Sequence, residues 1–128
     1  MAWNFDPRLK VEQTLQIEDC PQHRSRNGDH IFMHYTGMLE DGTVFDSSRP
    51  RGIPFDFVLG AGRVIKGWDD GLMNMCPGEK RRLTIPSSMG YGDYGYPPVI
   101  PPRATLIFEV QMMRSNAPTF PGRNAMRG

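Results

Sequence analysis

One amphipathic segment, VIKGWDDGLM at residues 64–73, places the strongest constraint on how this chain folds. The apolar side chains here and just beyond recur at steps of three, four and three residues, a spacing typical of one helix face: Ile65, Trp68, Leu72 and Met75. Pro77 and Gly78 are expected to end the helix. Since a helix of about three turns is not stable alone in water, we expect it to lie across a sheet with Trp68 on its buried face.

Alternating and continuous apolar patterns predict strands through most of the remaining chain, at 10–17, 30–39, 44–48, 54–59, 79–86 and 103–114. Asp41 and Gly42 have the turn chemistry of a hairpin between the second and third strands. The chain therefore predicts an α+β fold, with about five antiparallel strands and one helix on a sheet face. We expect residues 1–9 to be a flexible arm, 10–114 to form the domain and 115–128 to be a disordered tail.

Length and charge exclude several classes of protein. The 128 residues are enough for one domain. With 15 basic and 14 acidic residues the net charge is +1, so no global field attracts nucleic acid or an acidic membrane. No run approaches the roughly 18 apolar residues that a membrane span needs. The first residues also lack the apolar core of a signal peptide, so we expect any signal peptide of the native gene to have been removed from this chain.

Signatures of covalent or metal-dependent catalysis are missing from the sequence. It contains no Gly-x-Ser-x-Gly motif, no recognisable Ser-His-Asp set and no phosphate-binding glycine loop. His30 and His34 stand roughly 13 Å apart along a strand, too far to share one metal ion, and are interpreted as structural. The basic run at residues 80–82 is interpreted as a solvated strand face rather than a nucleic-acid patch. No metal or cofactor is expected.

The two cysteines, Cys20 and Cys76, leave two alternatives open. Two buried free thiols are the commoner arrangement in a cytosolic protein. A disulfide would close a loop of roughly 57 residues and stabilise the fold by about 4 kcal/mol in the chain-entropy model. Composition alone does not decide between them.

Aromatic and aliphatic residues are concentrated near predicted strand ends and loops. The set comprises Tyr35, Phe45, Phe55, Phe57, Val64, Ile65, Trp68, Tyr91, Ile100 and Phe108. Each residue alone is more often part of a core, but together they exceed what a small core needs. Several lie in or beside the long loop at 87–102, and long ordered loops are often functional. The set therefore indicates an apolar concavity for a small ligand.

Four segments carry a resemblance to a known family: HYTGMLEDGTVFDSS at 34–48, VIKGW at 64–68, GYG at 90–92 and IPPRATLIFEV at 100–110. They resemble the signature of FKBP-type peptidyl-prolyl isomerases, and the match runs from about residue 28 to 113. The resemblance implies a five-stranded antiparallel sheet wrapped around one short helix. It also implies that proline-containing peptides, or the macrolides tacrolimus and rapamycin, bind between sheet and helix.

The resemblance also implies which residues form the site. The catalytic residues would be Tyr35, Phe45, Asp46, Trp68, Tyr91 and Phe108. Further ligand contacts would come from Arg51, Phe55, Val64, Ile65, Tyr96, Val99 and Ile100. By analogy Trp68 is the floor, Ile65 offers a backbone N–H and Tyr91 offers a hydroxyl.

Two expectations concern charged or polar residues around this site. Asp46 should be held by Arg51 and Tyr35, because an unpaired, partly buried carboxylate is costly. Arg63 and Tyr96 depart from the commonest family pattern, which has an acidic residue and a histidine at these positions. Both are expected at the rim, where they bear on peptide or drug preference.

The implied function is acceleration of rotation about X–Pro bonds during protein folding, with inhibition by tacrolimus- or rapamycin-type macrolides. The implied partners are proline-containing peptides, unfolded clients and macrolide inhibitors, and the protein is expected to be a monomer that binds no nucleic acid. The alternative is a non-catalytic proline-peptide-binding or chaperone module that uses the same pocket.

The segments around Cys20 and Cys76 resemble those of the small secretory-pathway members, in which the corresponding cysteines pair. The resemblance thus implies a Cys20–Cys76 disulfide and a place in the lumen of the endoplasmic reticulum. No Lys-Asp-Glu-Leu-type end accounts for retention there, and a cytoplasmic location is the alternative.

Overall fold

The computed structural model describes residues 8–20 and 23–116. In chain order the elements are β1 Lys10–Leu15, β2 His30–Leu39, β3 Val44–Ser47, β4 Phe55–Val58, α1 Lys66–Gly71, β5 Lys80–Ile85, a 3₁₀ turn Ser87–Met89 and β6 Leu106–Asn116. All strand pairings are antiparallel. Among these residues no helix is long and apolar enough to cross a membrane.

The described residues form six strands, two of which share one edge of the sheet, so that the sheet is five strands wide. Its order is β1-β5-β6-β2-β3, and β4 also pairs with β2. β3 pairs with residues 36–38 of β2, whereas β4 pairs with residues 30–33. The two short strands are therefore halves of one edge, separated by a loop that carries Arg51. The predicted α+β fold, a five-stranded antiparallel sheet with one short helix, is confirmed.

Strand boundaries agree with the sequence patterns to within a few residues. β2 has the predicted bounds, whereas β1 ends two residues early, at Leu15. β6 begins later than predicted and extends to Asn116, so that Ser115 pairs with Ile31. The arm and tail expected at the two ends fall mostly at 1–7 and 117–128, outside the described residues.

The helix is shorter than its apolar spacing predicts. α1 ends at Gly71, and Asn74 already has a positive φ of 61°. The cause lies far away in the sequence, because Ser25 takes over the bonds that a longer helix would make. Its hydroxyl donates to the Leu72 carbonyl (2.6 Å) and accepts from the Met75 N–H (2.8 Å). Leu72 and Met75 are nevertheless fully buried, as their spacing predicts.

The core fills the space between α1 and the sheet. Its fully buried apolar residues are Ile31, Met33, Leu59, Leu72, Met75, Leu83, Ile85, Leu106 and Met112. Gly67 lets the helix approach β5 closely, since a Cβ there would stand 2.6 Å from the Ile85 side chain. This contact fixes the neighbouring Trp68 relative to the sheet.

A buried polar network closes the far end of the helix. Glu79 is 1% exposed and accepts hydrogen bonds from the Cys76 N–H, the Gln13 amide and Arg81 Nε, at 2.8–2.9 Å. Arg81 also donates to the carbonyls of Gly71 and Met73. The solvated face predicted for residues 80–82 is therefore wrong for Arg81, because strand alternation turns this residue inward.

The two cysteines form a disulfide beside this network. Cys20 and Cys76 are bonded, with their Cα atoms 6.0 Å apart. The bond ties the segment after β1 to the chain that follows α1. Of the two alternatives that composition left open, the structure has the disulfide.

Candidate functional site

A cavity of about 270 Å³ opens between the start of α1, the edge of the sheet and the loop before β6. It is lined by Tyr35, Phe45, Asp46, Phe55, Arg63, Val64, Ile65, Trp68, Tyr91 and Phe108. A second cavity of about 220 Å³ adjoins it, lined by Phe45, Asp46, Tyr91, Tyr96, Val99 and Ile100. Three residues therefore belong to both cavities: Phe45, Asp46 and Tyr91.

Trp68 forms the floor of the first cavity. Its ring lies edge-on to Tyr35 at 5.1 Å and to Phe108 at 5.2 Å between centroids. Phe55 and Phe57 contact it from β4, at 5.9 and 5.7 Å. These distances are typical of favourable aromatic pairs, so a cage of rings fixes the indole between the core and the cavity.

Phe45 and Phe108 form one wall in a perpendicular pair, with centroids 5.6 Å apart. Gly37 on β2 makes the arrangement possible, because a Cβ there would stand 2.7 Å from both rings. Gly37 is not among the site residues predicted from the sequence. A lone glycine within an aromatic, β-branched strand is the signal that could have found it.

Asp46 is the one carboxylate among the described residues that lines the cavity, and its neighbours hold it in place. It accepts a 2.5 Å hydrogen bond from the Tyr35 hydroxyl, and Arg51 approaches its other oxygen at 3.5 Å. Arg51 also donates to the Tyr35 hydroxyl at 3.4 Å. The expected Asp46–Arg51–Tyr35 group is thus confirmed, although Arg51 does not line either cavity.

The electrostatics of Tyr35 follow from this geometry. Burial raises the pKa of its hydroxyl, and the hydrogen bond to Asp46 raises it further, against an opposing effect of Arg51. Tyr35 therefore stays protonated at neutral pH and remains a donor to the carboxylate.

Asp69 on α1 fixes the turn at the cavity mouth. Its two carboxylate oxygens accept the N–H groups of Gly60 and Gly62, at 2.8 and 3.1 Å. This turn leads directly into residues 63–65, which line the cavity. Asp69 is not among the site residues predicted from the sequence, because periodicity does not show which backbone groups a side chain meets.

The loop between β5 and β6 forms the opposite wall. Tyr91 and Tyr96 pair at 5.7 Å between centroids, and the Tyr96 and Ile100 backbones bridge each other. Tyr96 is 61% exposed, which agrees with the rim position expected for it. Burial raises the pKa of Tyr91, and the neighbouring Tyr96 and Asp46 add to the effect. The Tyr91 hydroxyl is therefore protonated and able to donate.

Nearly all of the predicted site residues meet at these two cavities. Phe57, counted among the candidates for the concavity, lies beneath Trp68 and is 6% exposed, so it belongs to the core. Within the described part of the chain no three His, Cys, Asp or Glu residues lie close enough to hold a metal ion.

Comparison with known proteins identifies the family. A model of the family described as FKBP-type peptidyl-prolyl cis-trans isomerase matches residues 22–113. The chain belongs to this family. It is 56% identical over 107 residues to the peptidyl-prolyl cis-trans isomerase FKBP2 of Mus musculus, an alignment that covers 84% of this chain and 76% of that protein. With the isomerase FPR2 of Saccharomyces cerevisiae the identity is 52% over 109 residues, covering 84% of this chain and 80% of the yeast protein.

A solved structure agrees with the sequence relatives. The crystal structure of AtFKBP13 superposes with a TM-score of 0.74 at 38% sequence identity, covering 83% of this chain and 91% of that chain. The predicted membership among FKBP-type isomerases is therefore confirmed, as is the activity. The protein is a peptidyl-prolyl cis-trans isomerase.

Proposed function

We propose that X–Pro bonds rotate in the first cavity, with the proline ring held among Phe45, Trp68 and Phe108. The observation that carries this proposal is the cavity itself, in which aromatic rings surround the carboxylate of Asp46, held by its neighbours. A pyrrolidine ring is small and apolar, and aromatic walls suit it. Ile65 offers its backbone N–H to the carbonyl of the proline, and Val64 and Phe55 complete the mouth.

The chemistry required is modest. Rotation about the peptide bond is opposed by a barrier of about 18–20 kcal/mol that arises from amide resonance, while the two X–Pro isomers differ by only about 0.5–1 kcal/mol. Water stabilises the planar, charge-separated amide through hydrogen bonds to its carbonyl oxygen. An apolar cavity removes those bonds, so the planar ground state loses stabilisation while the twisted state loses little.

Asp46 and Tyr91 act on the twisted amide. Once the nitrogen no longer conjugates with the carbonyl, the carbonyl carbon is more electropositive, and a fixed carboxylate beside it is favourable. Tyr35 and Arg51 keep Asp46 in position before the substrate arrives, so that no reorganisation is needed during rotation. The Tyr91 hydroxyl donates to the substrate.

The second cavity takes the side chain of the residue before proline. The X–Pro amide lies at the boundary that Asp46 and Tyr91 share between the two cavities. With the proline ring in the first cavity, the preceding residue enters the second, beside Tyr96, Val99 and Ile100. An apolar side chain such as leucine is therefore favoured at this position.

The test compares two site variants with matched controls, using an Ala-Leu-Pro peptide. Phe45→Ala and Asp46→Asn are expected to lower kcat/KM by on the order of tenfold or more, in the range typical for loss of a positioned or electrostatic group. Phe32→Ala and Asp56→Asn are the controls, because Phe32 stacks under Arg114 and Asp56 faces His30, both outside the cavities. Unchanged kcat/KM in both site variants would show that the assignment is wrong.

Inhibition distinguishes catalysis in this cavity from binding alone. We expect tacrolimus to occupy the first cavity and to abolish isomerisation in a protease-coupled assay. A protein that binds proline peptides and tacrolimus without accelerating isomerisation would instead be a binding or chaperone module.

We infer further that the protein works in the secretory pathway, in the lumen of the endoplasmic reticulum, on unfolded clients. The Cys20–Cys76 disulfide supports this location, because disulfides persist in oxidising compartments and are rare in the cytosol. Mass spectrometry of the protein isolated from its native source without reductant should show a deficit of two hydrogens. A fully reduced mass would count against the location.

A further inference from the structure

The mouth of the first cavity carries a charged side chain that has no counter-ion among the described residues. Arg63 lines this cavity and is exposed, and it makes no ion pair within the described residues. Its charged neighbours are occupied: Lys66 pairs with Asp70 at 3.0 Å, and the Asp69 carboxylate accepts two backbone N–H groups. The positive charge of Arg63 is therefore available to a ligand.

The other charged residue of this cavity does not compensate for Arg63. Asp46 is matched by Arg51 at 3.5 Å and by the hydroxyl of Tyr35. The backbone that carries Arg63 is also fixed, because Asp69 holds the turn just before it. The mouth thus presents a cation from a defined position rather than from a loose loop.

The direction of the bound peptide decides which of its residues meets Arg63. Under the proposed function, on which this inference rests, the X–Pro amide lies at Asp46 and Tyr91 and the preceding residue enters the second cavity. Arg63 lines the first cavity but not the second. The chain after the proline therefore leaves on the side of Arg63.

We propose that Arg63 is a specificity-determining residue that selects substrates with an acidic side chain directly after the proline. A glutamate at that position brings its carboxylate to the exposed guanidinium without desolvating either charge. The expected preference is modest, about two- to fivefold, which is the range of a solvent-exposed ion pair.

The test compares two blocked peptides that differ by one charge, Ala-Leu-Pro-Glu-Ala and Ala-Leu-Pro-Gln-Ala. NMR exchange spectroscopy measures their isomerisation without a coupling protease, whose own specificity would interfere after proline. We expect kcat/KM to be about two- to fivefold higher for the glutamate peptide at low salt, and the ratio to fall towards one at about 0.2 M salt through screening. Arg63→Gln should remove the preference and Arg63→Glu should invert it.

Lys66→Gln is the matched control. Like Arg63→Gln it removes one positive charge, but Lys66 lies three residues further along the chain and its side chain does not line the cavity. It should keep the glutamate preference. A ratio of one in the wild-type protein, or an unchanged ratio in Arg63→Gln, overturns the inference while isomerisation of the glutamine peptide continues. If the wild-type protein does not accelerate the glutamine peptide either, the proposed function itself fails.

Discussion

The two ends of α1 are built in opposite ways. At its start, Arg63 and Ile65 border an open cavity, and Trp68 lies beneath it. At its end, Arg81 binds the last carbonyls, and Glu79 is sealed beside the disulfide. One end is left unfilled, whereas at the other every polar group of the network meets a partner. We therefore expect mutations at the start of α1 to affect mainly activity and mutations at its end to affect mainly stability.

The largest expected effect is a loss of stability on mutation at the end of α1, where Glu79 is buried. Glu79→Ala leaves the Cys76 N–H, the Gln13 amide and Arg81 without their shared acceptor. Loss of one partner from a buried ionic network costs about 3–5 kcal/mol. Urea unfolding should show this loss, while kcat/KM per folded molecule stays within about twofold, since no atom of the cavity changes.

Glu109→Ala is the control for that variant. Glu109 is 56% exposed and pairs with Arg82 at 3.0 Å, so its loss should cost no more than about 1 kcal/mol. Equal losses of unfolding free energy in the two variants would show that the buried network is not especially stabilising. A fall in kcat/KM that parallels the loss of stability in Glu79→Ala would show that activity and stability are not separate.

Removal of the disulfide is expected to have the next largest effect. The bridge joins residues 56 positions apart, and native disulfides over such loops contribute about 2–4 kcal/mol, mainly by restricting the unfolded chain. The double variant Cys20→Ser and Cys76→Ser should unfold at lower urea concentration with the same affinity for tacrolimus. A large loss of tacrolimus affinity at unchanged stability would instead show that the disulfide acts on the cavity at the start of the helix.

In the wall of the cavity at the start of α1, Gly37→Ala should reduce activity more than stability. The added methyl group would push the rings of Phe45 and Phe108 out of their perpendicular contact. Displaced groups of this kind lower kcat/KM by on the order of tenfold or more. Gly42→Ala is the control away from the site: its φ of 91° strains an alanine, so stability should fall, but a Cβ there meets nothing within 4 Å and kcat/KM should not change. A wild-type kcat/KM in Gly37→Ala would show that the perpendicular arrangement of Phe45 and Phe108 is not needed for catalysis.

The smallest effect is an acid dependence of stability. Burial raises the pKa of Glu79, but the Cys76 N–H, Gln13 and Arg81 outweigh it, and the net shift is downward from 4.5. A carboxyl whose pKa is lower in the folded state stabilises the fold above its unfolded pKa and loses that contribution as pH falls through the folded value. The stability difference between wild type and Glu79→Gln should therefore shrink below about pH 4.5. A stability difference that grows on acidification would show that the pKa of Glu79 is raised rather than lowered by folding.

Local patterns were sufficient for most of the fold. The run of aromatic and β-branched residues in β2 predicted its bounds, and the apolar steps from Ile65 to Met75 predicted the burial of Trp68, Leu72 and Met75. The end of the helix could not be predicted in the same way, because Ser25, nearly fifty residues away, supplies the hydrogen bonds that replace the last turn. Burial follows periodicity, whereas a helix end depends on tertiary partners.

The site was predicted from family resemblance more than from physics. Single aromatic residues do not indicate by themselves whether they line a cavity or fill a core, and Phe57 was counted with the former although it lies in the latter. Gly37 was missed because its role is to leave room for two aromatic rings. Asp69 was missed because its role depends on the backbone N–H groups that its carboxylate accepts. Both are properties of the folded chain.

We propose that the cavity above Trp68 is where the X–Pro bond is bound and rotated. Trp68 is one of two tryptophans, so a Trp3→Phe variant makes it the single fluorescent reporter. Titration with tacrolimus, following emission and isomerase activity in the same samples, tests whether the inhibited site is this cavity. We expect the Trp68 emission to change and the activity to disappear with one common midpoint. Inhibition without any change in Trp68 emission would contradict it.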